Sequence, residues 1–181
     1  MKILETTRLL LRGWEERDAA RLYDLAKDPE IGPRAGWPVH KNKDDSLATI
    51  RNVLSAPETY AVILKENGLP VGSIGLKEPD ARFDDLPKDA LQLELGYWLG
   101  REYWGRGLMP EAVQALLRRG FEELGCTVIW CAHYDFNSQS RRVIEKSGFV
   151  YQRTVDTTNL LGETHPTLCY AMTRNEWGKR L

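Results

Sequence analysis

Tyr103-Trp104-Gly105-Arg106-Gly107-Leu108-Met109-Pro110-Glu111 decides how the rest of the chain is read. It stands between a run of alternating apolar residues and a stretch of helical periodicity, so it joins a strand to a helix. Two glycines let the backbone come close to a ligand. Pro110 fits a first helical turn, where a missing N–H costs nothing. The start of a helix offers unpaired N–H groups and a partial positive charge, which suits a phosphate or diphosphate. A dinucleotide-binding turn would carry a third glycine and follow the first strand, and a P-loop would carry Gly-Lys-Ser/Thr. Neither pattern occurs here. Taken alone, the stretch reads equally well as a tight turn whose glycines serve packing.

Before the loop, residues 90–99 read as a long strand. Leu91, Leu93, Leu95 and Tyr97 share one face, and Gln92, Glu94 and Trp98 the other. After it, residues 110–124 read as a helix with Ala112, Val113, Leu116, Leu117 and Phe121 as its apolar stripe, stopped by Gly125. Residues 127–132 form a short apolar strand, and 138–147 a helix ended by Gly148. Residues 149–156 and 167–173 form two last strands, paired as a hairpin. Towards the N-terminus, residues 6–12 read as a first strand and 15–27 as a helix. Residues 31–42 are loop, and 44–54 a helix with Asp44 or Asp45 as cap. Residues 60–64 and 70–76 are strands joined by the hairpin turn Asn67-Gly68, and 78–88 is loop. The order β-α-α-β-β-β-α-β-α-β-β predicts a mixed sheet with helices on its faces.

Composition sets the class. The 181 residues make one domain, 1–181, without visible repeats, and 42% hydrophobic with 28% charged residues is ordinary for a soluble globular chain. The 25 basic and 26 acidic residues leave a net charge of −1, which argues against nucleic acid as a partner. No apolar run approaches the roughly 18 residues of a membrane span. The opening Met1-Lys2-Ile3-Leu4-Glu5 does not read as a signal peptide. Cys126, Cys131 and Cys169 are an odd set without metal-ligand spacing. They predict core thiols, no metal site and a reducing cytoplasm.

Three segments in order settle the context: Leu93-Glu94-Leu95-Gly96-Tyr97-Trp98-Leu99, the glycine loop, and Asn137-Ser138-Gln139-Ser140-Arg141-Arg142-Val143-Ile144-Glu145-Lys146-Ser147-Gly148-Phe149. Together they resemble the GNAT superfamily of acyl-CoA-dependent N-acetyltransferases. The Thr-x-Arg-Leu-x-Leu-Arg opening at 6–12 and the Asn-x-x-Ser-x-x-x-x-Glu-Lys-x-Gly-Phe segment are similar to its RimJ/RimL branch, which includes the ribosomal-protein N-terminal acetyltransferases. The resemblance runs on to Met172-Thr173-Arg174-Asn175-Glu176-Trp177.

This resemblance implies the GNAT fold, an α/β (α+β) architecture. Its mostly antiparallel mixed sheet has about seven strands, the central ones splayed, flanked by about four helices. It implies acetyl-CoA as co-substrate, with the diphosphate held by the backbone of Trp104, Gly105, Arg106, Gly107, Leu108 and Met109. The family pattern begins with Arg or Gln, where this chain has Glu102, and Arg101 is one residue off. Pantetheine would lie like an added strand between residues 93–99 and 127–133. The thioester carbonyl would meet a backbone N–H of Leu95, Gly96 or Tyr97, a donor suited to an oxyanion. Asn137 matches an asparagine that contacts pantetheine or an active-site water. Ser140 matches the branch's serine near the CoA sulfur. The tyrosine that serves many members as acid is replaced by Ile144, so Ser140 is the candidate acid, with Tyr134 in reserve. Arg142 stands where a basic side chain meets CoA phosphates, and Arg141 is either that or a solvated helix residue.

An amine with a pKa of about 8 (α-amine) or 10.4 (lysine) must lose a proton before it attacks. Glu94 is the candidate base, directly or through a water; the alternative is a structural pair with an arginine. The base reading is favoured because an unpaired carboxylate on an apolar strand is desolvated and raised in pKa. Trp37 and His40, in the region that lines the acceptor site in related proteins, are candidates for the substrate pocket. His133 is expected to be structural, and Trp98 and Trp130 core. The function implied is direct acetyl transfer to a primary amine, on a protein N-terminus or a small molecule. Absence of a Cys or Ser paired with a histidine base fits direct attack. The alternatives are a CoA-binding sensor without catalysis and a plain nucleotide binder. The family also implies a homodimer, with the C-terminal strand pair as its interface.

Overall fold

The computed structural model describes residues 1–83 and 91–180. Leu4–Glu5 (β1) folds back on Leu9–Arg12 (β2), so the expected first strand shortens and gains a partner across the turn Thr6-Thr7-Arg8. A tight turn at Glu16–Asp18 leads into Ala19–Ala26 (α1), which buries Leu22, Leu25 and Ala26. The segment expected to be all loop holds one helical turn, Gly32–Ala35 (α2). Pro33 presets its backbone and Gly36, at φ +88°, closes it. Lys43–Thr49 (α3) is capped by Asn42, not by Asp44 or Asp45. The Asn42 side chain accepts from the Asp45 N–H, while both aspartates lie inside the first turn, where they complement the dipole. The helix widens over Ile50–Leu54.

Thr59–Leu64 (β3) and Leu69–Lys77 (β4) form the hairpin that Asn67-Gly68 signals, with Gly68 at φ +71°. Gln92–Leu99 (β5) leads through a turn at Arg101–Tyr103 and the glycine loop into Leu108–Arg118 (α4). The helix begins two residues before Pro110, because the N–H-free proline still fits the first turn. It continues as a wider turn to Leu124. Val128–Tyr134 (β6), Ser138–Lys146 (α5), Val150–Thr158 (β7), Thr164–Thr173 (β8) and Arg174–Gly178 (α6) follow. Ala90 and residues 84–88 of the expected loop lie outside the described residues.

The eight strands form one sheet in the order β1-β2-β3-β4-β5-β6-β8-β7. Every neighbouring pair is antiparallel except β5 with β6. A parallel pair needs a crossover, and α4 supplies it. The last hairpin enters with β8 inside and β7 at the edge. Side chains alternate between two cores. Leu9, Leu11, Tyr60, Val62, Leu95 and Ile129 meet the stripe of α4, while Leu22, Ala26, Ile50, Ala61 and Ile63 close the other face. Phe83, Trp130, Cys169 and Ala171 form a third cluster. All three cysteines are buried and unpaired. Leu116 is fully enclosed between helix and sheet. Leu116→Ala should cost about 2–5 kcal/mol, measured by urea denaturation, with an unchanged m-value.

Candidate active site

The parallel pair is short. β5 and β6 are in register only from Gln92↔Val128 to Leu95↔Cys131. Beyond that, β5 stays with β4 as far as Leu99, and β6 stays with β8 as far as Tyr134. The two central strands therefore part while each keeps its outer neighbour. Backbone groups alternate sides along a strand. Gly100 N–H donates to Val71 O on β4, so Tyr97 turns its N–H and C=O into the gap. Leu99, on the same side, has its carbonyl engaged by the Trp104 indole N–H at 2.8 Å.

A cleft of about 1100 Å³ runs through this gap, from the glycine loop to the opposite face of the sheet. At the loop end stand Trp104, Gly105, Gly107, Leu108 and Met109. Gly105 and Gly107 take φ +74° and +72°, a region that side chains disfavour. A Cβ at Gly105 would meet nothing within 4 Å, and one at Gly107 only the Arg8 guanidinium at 3.6 Å. Among the described residues, the N–H groups from Gly105 to Met109 donate to no protein acceptor, whereas the Trp104 N–H, expected to join them, closes the preceding turn on the Arg101 carbonyl at 3.1 Å. An open, N–H-lined turn on an 11-residue helix fits a diphosphate.

Midway, the Tyr97 hydroxyl lies 2.9 Å from Ser140 Oγ and 3.1 Å from the Ser140 carbonyl. Burial pushes the Tyr97 phenol well up, so it stays protonated. Asn137 caps α5: its Oδ1 accepts from the Ser140 N–H at 3.1 Å, and its Nδ2 donates to the Arg34 carbonyl at 3.0 Å. Both ends of this side chain are thus engaged within the protein.

On the far face, Glu94, Gly96 and Trp98 follow one another along β5. A Cβ at Gly96 would meet nothing within 4 Å, so the floor between the other two is open. Glu94 is 5% exposed. Its Oε1 accepts from Arg82 at 2.7 Å, and Lys77 Nζ stands 3.2 Å from Oε2. The expectation of an unpaired carboxylate is therefore corrected, since Lys77 is its cross-strand partner and Arg82 reaches in from the following segment. Burial opposes the Arg82 charge, but Asp80 and Glu94 outweigh it and hold the guanidinium protonated. Trp98 is a second correction. It is half-buried in the cleft wall, edge-on to Trp37 at 5.9 Å and stacked at 6.2 Å on Trp14.

The fold agrees with known proteins. A family model described as "Acetyltransferase (GNAT) domain" matches residues 8–150. The chain belongs to the GNAT acetyltransferase family. It is 31% identical over 136 residues to the ribosomal-protein-serine acetyltransferase of Escherichia coli, covering 71% of this chain and 70% of that protein. It is 29% identical over 154 residues to the N-acetyltransferase p20 of Bacillus licheniformis, covering 82% and 83%. The crystal structure of a GNAT-family acetyltransferase from Bacillus anthracis superposes with a TM-score of 0.82, at 22% identity, over 97% of this chain and 100% of that one. The protein is an N-acetyltransferase that moves acetyl from acetyl-CoA to an amine.

As a GNAT chain it brings Gly96, Tyr97, Asn137, Ser140 and the glycine loop into one cleft, with Trp37 and Glu94 also in its lining. Two expected contributors stand apart. His40 is packed behind Trp37 at 5.5 Å, its Nδ1 is 2.8 Å from Ser46 Oγ, and it does not reach the cleft. Arg142 is exposed on α5 outside the cleft, and among the described residues no ion pair aims its side chain inward. Arg141 pairs with Glu145 one turn on. His133 is structural as expected. Its Nδ1 donates to the Tyr134 carbonyl at 2.7 Å, and burial lowers its pKa, keeping it neutral.

Sequence reasoning missed Arg8, whose guanidinium reaches the glycine loop, and the Tyr97 side chain as neighbour of Ser140. The Thr-x-Arg opening was the only signal for the first. For the second, the signal was a tyrosine on the inner face of β5.

Gly107→Val should lower CoA affinity by more than about tenfold, since a β-branched residue resists φ +72°. Calorimetric titration against CoA checks this. Unchanged affinity would remove the diphosphate from the loop.

Proposed function

We propose that the gap between β5 and β6 is the acetyl-transfer site, with acetyl-CoA lying along it and the amine arriving from the Glu94–Trp98 face. The observation that carries this reading is the separation of the strands after Leu95 and Cys131, which leaves the Tyr97 N–H turned into a cleft open at both ends. When bound, acetyl-CoA supplies an acyl group already activated as a thioester. The backbone of Gly105 through Met109 holds its diphosphate, and Leu95 to Tyr97 border the pantetheine. The Tyr97 N–H is the donor for the acyl oxygen. Ser140 Oγ–H is the acid at the sulfur end of the gap. Tyr97, 2.9 Å away, supplies it with a proton in turn. The tyrosine absent from position 144 thus has a counterpart on β5.

Glu94 is the base. Arg82 holds Oε1 and Lys77 stands 3.2 Å from Oε2, which fixes the carboxylate that takes the amine proton through a water. Asn137 acts by position, through its bond to the Arg34 carbonyl. Trp37 and Trp98 wall the acceptor slot. Its aromatic faces suit a cationic amine, which is how the acceptor arrives at neutral pH. The E. coli relative is named for a ribosomal protein, so a protein N-terminus leads the candidate acceptors, ahead of small amines. Three free thiols suit a reducing cytoplasm.

Free-thiol release from acetyl-CoA tests this, against N-terminal peptides, polyamines, amino acids and aminoglycosides. Turnover with one class is expected and names the acceptor; CoA binding without turnover on any amine would favour the sensor. Glu94→Gln should lower kcat by about 10²–10⁴-fold. The loss should be largest at low pH, where the amine is most protonated, with CoA affinity retained. Ser140→Ala and Tyr97→Phe should both lower kcat, the first more, and their double variant should be no worse than Ser140→Ala. Strict additivity of the two losses would separate Tyr97 from the proton path.

A further inference from the structure

We propose that Arg8 is a positioning residue for the CoA diphosphate, gripping the glycine loop from behind and neutralising the carboxylate that stands beside it. This rests on the reading that the loop takes the diphosphate. The Arg8 guanidinium donates from Nη1 to the Arg106 carbonyl at 2.8 Å and from Nη2 to the Gly107 carbonyl at 3.0 Å. In a trans peptide the C=O and the following N–H point in opposite directions. Pulling the Arg106 and Gly107 carbonyls towards Arg8 therefore turns the Gly107 and Leu108 N–H groups the other way. Those are two of the N–H groups without a protein acceptor. The fork of the guanidinium matches two neighbouring carbonyls, which a single ammonium does not.

The third arm of Arg8 meets Glu111. Nε donates to Oε2 at 2.7 Å, while the Arg8 N–H and the Thr6 hydroxyl donate to Oε1 at 2.8 and 2.6 Å. Glu111 lies in the first turn of α4, the same end that would receive the diphosphate. A bare carboxylate there would repel a second anion. Three donors and one full positive charge cancel it. Burial alone would raise the Glu111 carboxyl, but the bonds from Thr6 and Arg8 outweigh that and keep it below the usual range. The Arg8 side chain is 44% exposed, so it is not part of the core.

The test compares CoA with pantetheine, which lacks the diphosphate and nucleotide. Calorimetry gives the affinity for CoA and NMR titration that for pantetheine, on the full chain. Arg8→Ala should weaken CoA by about tenfold or more, the size of a few charge-assisted bonds. Pantetheine should stay within about twofold, as for a surface substitution. Arg8→Lys should fall between wild type and Arg8→Ala for CoA, and it decides the same comparison if Arg8→Ala does not fold. Adding Glu111→Gln to the Arg8 variant should restore part of the CoA affinity, because the repulsion is gone. An equal loss of both ligands would make Arg8 a general structural brace, and an unchanged CoA affinity would dismiss it; either overturns the proposal. No recovery with Glu111→Gln would overturn the neutralising role. Wild type holding CoA no tighter than pantetheine would instead overturn the diphosphate reading of the loop.

Discussion

One parallel contact inside an antiparallel sheet governs this molecule. β5 and β6 run the same way, so the chain must leave the end of β5, cross over as α4 and return. The crossover helix therefore begins where β5 ends, with its free N–H groups at the mouth of whatever opens beside that strand. The opening follows from the short register. After Leu95 and Cys131 the two strands separate, and the loss is confined to the inner groups, because β4 still pairs with β5 and β8 with β6. The gap is held open by what fills its margins. Tyr97 and Ser140 meet on the core face, while the Trp104 indole takes the Leu99 carbonyl. A closed ladder here would bury the N–H of Tyr97 and leave the helix end facing a finished sheet.

The Glu94 face of the cleft is built by a different force. Glu94 sits at 5% exposure among apolar neighbours, and an ion there is costly without partners. Arg82 and Lys77 supply them from β4 and the segment after it. Arg82 also grips Asp80 at 2.6 Å, so one cation organises two carboxylates at the cleft wall. Each oxygen of Glu94 thus has its own cation, Arg82 at Oε1 and Lys77 at Oε2. A carboxylate held by Arg82 at one oxygen and by Lys77 at the other keeps one orientation, which a freely rotating surface glutamate does not.

Much of this was legible in short stretches. Periodicity gave α4 with its buried stripe, Asn67-Gly68 gave the β3–β4 hairpin, and the three family segments gave the fold and the cleft. What escaped was decided by contacts far apart in sequence. The cap of α3 depends on which side chain reaches the Asp45 N–H, and Asn42 competes better than residues already inside the helix. The place of β8 between β6 and β7 is a matter of pairing that no local pattern contains. Trp98 reads as core by its apolar size. It becomes a cleft wall because Gly96 beside it leaves a trench. His40 reads as a pocket residue by its loop, yet Ser46 and Thr49 of α3 take its ring.

The same distance in sequence explains how the two halves of the cleft stay in order. The glycine loop is tied to the turn between β1 and β2, about one hundred residues earlier, through Arg8, Thr6 and Glu111. The acceptor loop is tied from the other end of the chain. Asn137 donates to the Arg34 carbonyl, and the Leu160 N–H, in the turn between β7 and β8, donates to the Gly36 carbonyl at 3.0 Å. Neither loop could hold its shape from its own residues, since glycines and a single helical turn lose more chain entropy on ordering than they recover locally. The order has to be imposed from elements already fixed in the sheet. A cleft made of two loops on opposite sides of a parted strand pair therefore forms only when the whole sheet has closed. Residues outside the cleft then govern its geometry as directly as those that line it.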